Sequence, residues 1–188
     1  MASLAFGQTW QPRTLTDRLN GVTTIKRQPS VVGLTRGDIA GMVAGNIDLV
    51  VESGDERRCV RFAIPSLPGP RWLNQSILSL GKLLALANNW DREGAPPIDS
   101  TAIQTAIDAL CSFMSDNSSL PQWTPTQRSG VQLDWHENGI DLEIAFEPGD
   151  VDGYAVFDDR NHPGTEWDGP VEGRTEELME IFRHSLTL

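Results

Sequence analysis

The feature that most constrains this 188-residue sequence is the alternation of apolar and polar residues around Asn138-Gly139. Asn-Gly is the preferred pair for a two-residue type I′ turn between antiparallel strands. Such a turn places in register Val131 with Phe146, Leu133 with Ile144, Trp135 with Leu142 and Glu137 with Ile140. The large apolar side chains then share one face, so turn and pattern together predict a hairpin with one buried face.

Periodicity and turn residues predict further elements on both sides of this hairpin. Two helices precede it and one follows it, and two more strands extend its sheet. The predicted elements are a hairpin over 47–64, helices over 71–90 and from Asp99 or Ser100 to Met114, strands near 154–157 and 165–168, and a last helix from Thr175. These elements predict an α+β fold, in which an antiparallel β-meander of three to four strands packs against two or three helices.

The domain organisation predicted from the sequence is an extended arm followed by one domain. Residues 1–30 show no sustained apolar period, which favours an arm outside the core. Residues 31–188 are predicted to form a single α+β domain, with a hairpin part over 31–70 and a helix-helix-meander-helix part over 71–188. A homo-oligomer through the arm is one possible use of such a segment.

Composition excludes several classes of protein. The chain has no apolar run of 18 residues and no basic, apolar leader, so we expect neither a membrane span nor a signal peptide. Its two cysteines, Cys59 and Cys111, are far apart and form neither a disulfide framework nor a zinc cluster. A reducing, cytoplasmic location is therefore the expectation.

Charge is strongly uneven along the chain. The formal net charge is −11, and residues 131–188 contain three Arg and fifteen Asp or Glu, which gives −12. An anionic surface repels nucleic acid and anionic lipid and attracts basic proteins. Two interpretations stay open, a surface that only maintains solubility and a docking surface for a basic protein partner. Direct nucleic-acid binding and membrane binding are not expected.

The polar face of the predicted hairpin carries the candidate site. His136 lies opposite Asp141, and Asp134 lies opposite Glu143, which is an unfavourable like-charge pair. These four side chains are compatible with general acid–base catalysis, a cation site, an anionic docking face or a merely solvated sheet face. Asp158 and Asp159, in the turn after the next strand, extend the predicted acidic face. Because no serine or cysteine is placed beside His136, we assign no catalytic residues. We also assign no metal and no cofactor.

Three other features are candidates outside the hairpin. Trp90, at a helix end before a Gly/Pro loop, is either a core plug or an exposed anchor. Arg57, Arg58 and Arg61 form a small basic patch, which is weak as a nucleic-acid site in an acidic chain. Cys111 falls on the apolar side of a helix, where we expect an unreactive thiol.

Two stretches resemble a widespread family of small, uncharacterised bacterial and phage proteins. They are Asn89-Trp90-Asp91 with Gly94-Ala95-Pro96-Pro97, and Gly130-Val-Gln-Leu-Asp-Trp-His136 followed by Asp141-Leu-Glu-Ile144. Asp134 stands where that family usually has Glu. The resemblance covers roughly residues 75–160. Members of that family have no assigned enzyme activity, so the resemblance implies no catalytic residues.

Three functions fit the sequence. The first is a non-enzymatic module that binds and restrains a basic protein through the acidic face, as an inhibitor, an antitoxin or a nucleic-acid mimic does. The second is a small metal-dependent hydrolase that uses Asp134, His136, Asp141 and Glu143. The third is a structural subunit of a phage or bacterial assembly.

Overall fold

The structure is a computed structural model that describes residues 16–19, 21–29, 45–53, 56–64 and 70–186. Within these ranges the chain forms nine strands and three helices. The strands are β1 (Thr16–Leu19), β2 (Gly21–Pro29), β3 (Gly45–Ser53), β4 (Glu56–Ile64), β5 (Gln122–Pro125), β6 (Val131–Glu137), β7 (Ile140–Phe146), β8 (Tyr154–Asp159) and β9 (Trp167–Pro170). The helices are α1 (Arg71–Leu84), α2 (Ser100–Phe113) and α3 (Thr175–His184). The predicted α+β class with an antiparallel meander is confirmed.

The N-terminal strands form a four-stranded antiparallel sheet in the order β1-β2-β3-β4. β3 and β4 form the hairpin predicted over 47–64, with Leu49 paired to Val60 and both side chains buried. Residues 16–29, which the sequence analysis assigned to an arm, are two strands here, and β2 pairs with β3 along its length. Sequence periodicity missed them because β1 has only four residues and the nine residues of β2 show no regular apolar alternation. Residues 1–15 of the predicted arm lie outside the described residues.

The second sheet has five antiparallel strands in the order β5-β6-β7-β8-β9, one more than the upper number predicted. Its central hairpin has the predicted register, with Trp135 opposite Leu142 and Glu137 opposite Ile140. Asn138 and Gly139 have φ values of 53° and 82°, as a type I′ turn requires. The extra strand, β5, was predicted only as an extended entry to the sheet, because four residues with a proline give little strand pattern.

The helices form a layer that contacts both sheets. α1 contacts β3 and β5, while α2 contacts β4, β6, β7 and α3. α1 is buried on most of its surface, including Gly81, as expected of a helix with protein on more than one side. One continuous cluster of buried apolar residues joins the helices to both sheets. Among the described helices, none is both long and apolar enough to cross a membrane.

The third helix closes the core against the central hairpin. Phe182 of α3 stacks on Phe113 at 5.3 Å between ring centroids and meets Trp135 edge-on at 5.0 Å. The indole of Trp135 is held in place because its Nε1 donates a hydrogen bond to the carbonyl of Ser119. The three helices therefore pack on the apolar face of the five-stranded sheet or extend the core that this face begins. The opposite face of this sheet remains accessible for other contacts.

The first prediction concerns the buried face of the hairpin. Leu142 is fully buried, so Leu142→Ala should lower the free energy of unfolding by about 2–5 kcal/mol through lost burial and a residual cavity. Val156→Ala, on the opposite face of the neighbouring strand, is the matched control and should cost less than about 1 kcal/mol. Urea unfolding measures both. Equal losses in the two variants would contradict the assignment of faces.

Candidate interaction and metal-binding face

The candidate site is the face of the five-stranded sheet that points away from the core, here called the outer face. Strand pairing puts alternate residues of five strands on it. The outer face carries Gln122, Thr124, Gln132, Asp134, His136, Asp141, Glu143, Ala145, Tyr154, Val156, Asp158 and Asp168.

Two apolar side chains of β8, the fourth of the five strands, lie exposed on this face. Tyr154 is 49% exposed and Val156 is 46% exposed. Val156 is in register with Glu143 on one side and Asp168 on the other, so carboxylates flank it. The Tyr154 hydroxyl donates a hydrogen bond to Asp168 Oδ2, and this bond raises the pKa of Tyr154. The outer face therefore has an exposed apolar pair, Tyr154 and Val156, with carboxylates on both sides of Val156.

Asp134 and Glu143 form the cross-strand carboxylate pair that the sequence predicted. Gln132 Nε2 bridges them, since it donates to Asp134 Oδ1 at 2.7 Å and to Glu143 Oε2 at 3.3 Å. Thr124 Oγ1 donates to the other oxygen of Asp134 at 3.0 Å. Asp134 is only 8% exposed, so these bonds compensate part of the cost of burying its charge.

His136 and Asp141 form the second predicted cross-strand pair. His136 Nδ1 lies 2.8 Å from Asp141 Oδ1, and Arg160 donates to Asp141 Oδ2. The hydrogen bond from His136 and, after it, the contact with Arg160 lower the pKa of Asp141. Asp141 thus stays ionised and holds the imidazole in one orientation.

Strand pairing brings five of the six predicted acidic-face residues together and separates the sixth. Asp134, His136, Asp141, Glu143 and Asp158 share the outer face, with Asp158 in register with Asp141.

Asp159 is in register with Ile140, which puts it at the end of the apolar side, and its Oδ2 lies 2.7 Å from His162 Nδ1. The sequence did not predict the position of Asp159, because the pairing of β8 with β7 determines which residues of β8 lie on the outer face.

Several members of the outer face had no candidate role in the sequence analysis. Thr124 and Gln132 donate hydrogen bonds to Asp134, and Tyr154 and Val156 form the exposed apolar pair. β8 has apolar residues at both parities, so its own sequence does not show which ones face outwards.

The predicted basic patch is used in packing. Arg61 makes a two-pronged ion pair with Asp48 across β3 and β4, at 2.6 and 3.0 Å, and this raises the pKa of Arg61. Arg58 Nη1 donates to the carbonyls of Leu84 and Leu86 at the end of α1, where a cation is favoured. Arg57 and Arg58 also line a cavity of about 500 Å³ beside the start of α2.

The segment around Trp90 is a loop tied by its own side chains. Asp91 Oδ1 accepts from the amides of Glu93 and Ala95, and Trp90 Nε1 donates to the carbonyl of Pro96 at 3.0 Å. Asn89, with φ 63°, accepts from the amide of Gly94. Trp90 is half-buried at the surface, so it is not a core plug, and its role as an anchor stays a prediction. The hydrogen bonds give the residues of this motif a structural role.

The two cysteines differ in environment. Burial raises the pKa of the Cys111 thiol to about 11, and the nearby Asp108 carboxylate adds to the shift. Cys59 is exposed on β4. The expectation of an unreactive Cys111 is consistent with this raised pKa, because the reactive species is the thiolate.

Comparisons with models of protein families, with curated proteins and with solved structures found no match to this chain. The resemblance of residues 75–160 to a family of small bacterial and phage proteins therefore stays a prediction.

The second prediction concerns the pH dependence of the loop that contains Trp90. Hydrogen bonds from the amides of Ala95 and Glu93 lower the pKa of Asp91. The ionised Asp91 carboxylate therefore stabilises the folded protein at pH values above its pKa in the unfolded chain, about 3.9. This stabilisation is lost as the pH falls through the lower pKa that Asp91 has in the folded protein. The free energy of unfolding of the wild type should fall more steeply from pH 5 to pH 3 than that of Asp91→Ala.

Glu93→Ala is the control for this experiment, because it changes a neighbouring carboxylate while Asp91 keeps its amide donors. It should retain the wild-type slope. Parallel pH profiles for the wild type and Asp91→Ala would contradict the role given to Asp91.

Proposed function

We propose that this chain is a non-enzymatic protein-binding module that uses the outer face to bind and restrain a basic protein partner, in the manner of an inhibitor or antitoxin. Mimicry of nucleic-acid charge is one form of this function, in which the partner's basic surface otherwise binds nucleic acid.

One observation carries the proposal: Tyr154 and Val156 are half-exposed on one face of β8, and the carboxylates of Glu143 and Asp168 flank Val156 on the neighbouring strands. Protein interfaces combine an apolar centre, often containing tyrosine, with a polar rim. Glu143, Asp158 and Asp168 supply an anionic rim here. A partner of matching chemistry presents an apolar pocket or ridge surrounded by Lys and Arg.

The charge of the C-terminal part of the chain supports a basic partner. The −12 of residues 131–188 produces a negative field around this sheet, which speeds the approach of a cationic protein. Part of that charge is neutralised locally, since Asp141 is paired with Arg160 and Arg174 with Glu177. Glu143 and Asp158 form no ion pair with an arginine or lysine of the described ranges, so they are the acids best suited to face a partner.

Binding by the face, and not by a sheet edge, fits the form of the edge strands. β5 and β9 have four residues each and end at Pro125 and Pro170. Short edge strands with proline are poor templates for pairing with another chain. The partner is therefore expected to contact side chains of the outer face and not to add a strand.

The third prediction tests this surface by charge reversal. The partner is first identified by pull-down from the native cell and purified. Glu143→Lys with Asp158→Lys should then slow its association roughly tenfold or more at 0.1 M salt, because steering by close charges is lost. The wild-type rate should fall steeply with added salt, as the Debye length shrinks from ~10 Å at 0.1 M to ~3 Å at 1 M.

A matched control carries the same change of net charge elsewhere. Glu172→Lys with Glu180→Lys alters two exposed acids outside the outer face and should change the association rate much less. If both double variants slow association equally, net charge and not this face directs binding. Wild-type affinity in a folded Glu143→Lys/Asp158→Lys protein would refute the proposal.

A further inference from the structure

Three metal-ligating side chains of different chemistry converge on the outer face. Asp134, His136 and Glu143 each offer one ligand atom, and these atoms all lie within 4.8 Å of one another. Asp134 and His136 are two residues apart on β6 and so share a face, while Glu143 reaches them from the paired position on β7. The central hairpin therefore places an imidazole and two carboxylates around one point.

One nitrogen of the imidazole already contacts a carboxylate, as is usual for a metal-binding histidine. His136 Nδ1 is engaged by Asp141 Oδ1 at 2.8 Å, and Arg160 holds the other oxygen of Asp141. With a proton on Nδ1 donated to Asp141, Nε2 keeps its lone pair for a ligand. Metal-bound histidines almost always have such a carboxylate or carbonyl partner on the second nitrogen, which fixes the ring and its tautomer.

The two carboxylates carry charge that the described protein does not neutralise. Neither Asp134 nor Glu143 forms an ion pair with a lysine or arginine in the described ranges, and only neutral donors, Thr124 and Gln132, reach them. Two like charges side by side on paired strands are unfavourable. A divalent cation between them would remove this repulsion and use the oxygen lone pairs that remain.

We infer that Asp134, His136 and Glu143 form a binding site for a divalent transition-metal ion of the Zn²⁺ class. The imidazole favours such an ion over Mg²⁺ and Ca²⁺, which prefer oxygen ligands alone. His136 is 51% exposed at its side chain, so water completes the coordination on the solvent side. Asp141 and Gln132 act as positioning residues. The inference does not rest on the proposed protein partner, although Glu143 belongs to both surfaces, and it assigns no reaction to the metal.

Calorimetric titration of the intact protein with Zn²⁺ tests the site, because the chain offers a matched pair of histidines. His136→Gln should lower Zn²⁺ affinity at least about tenfold. His162→Gln is the control, since His162 is also exposed and also pairs with an aspartate, Asp159, but is not part of the cluster. The control should bind Zn²⁺ as the wild type does. Mg²⁺ should bind the wild type at least about tenfold more weakly than Zn²⁺.

Glu143→Gln gives a second variant that keeps the size of the side chain, and circular dichroism checks that each variant is folded. It should also lose at least about tenfold in Zn²⁺ affinity. Equal Zn²⁺ affinity in the wild type, His136→Gln and Glu143→Gln would overturn the inference, as would an equal loss in His162→Gln. The titration uses the protein without its partner, so failure of this inference is measured separately from failure of the proposed function.

Discussion

The pairing of β6 with β7 is the interaction on which the rest of the structure depends. Its register puts Trp135 opposite Leu142 on the buried side and Asp134 opposite Glu143 on the exposed side. Because side chains alternate with a period of two, a slip of one residue would move the apolar set into solvent and the carboxylates into the core. The Asn138-Gly139 turn and the apolar pattern both specify the same register, so fold and outer face have one origin.

The outer face is more ordered than a simple acidic surface. Asp141 is held between His136 and Arg160, Asp134 between Thr124 and Gln132, and Asp168 by the Tyr154 hydroxyl. These contacts fix the positions of the charges, and fixed charges distinguish partners better than mobile ones. With its carboxylates fixed in this way, one sheet face can offer overlapping sets of them to a metal ion and to a basic protein.

The parts of this account that the sequence predicted are those where two local patterns agree. The hairpin register followed from the Asn138-Gly139 turn and from the alternation of apolar and polar residues on both sides of it. The positions of α1 and α2 followed from the helical spacing of their apolar residues. The position of Asp159, the exposure of Tyr154 and the use of Arg58 as a donor to Leu84 and Leu86 did not follow. Each depends on which segments meet in three dimensions, and residues far apart in sequence leave no local pattern of their meeting.

Hydroxyl-radical footprinting with and without the purified partner tests the central claim most directly, that the outer face is the working surface. Tyr154, on the outer face, is 49% exposed, and Met179, on α3 at the other side of the sheet, is 38% exposed, so both are open to oxidation in the free protein. The account predicts that the partner protects Tyr154 and leaves the oxidation rate of Met179 unchanged. Protection of Met179 with no change at Tyr154 would contradict it.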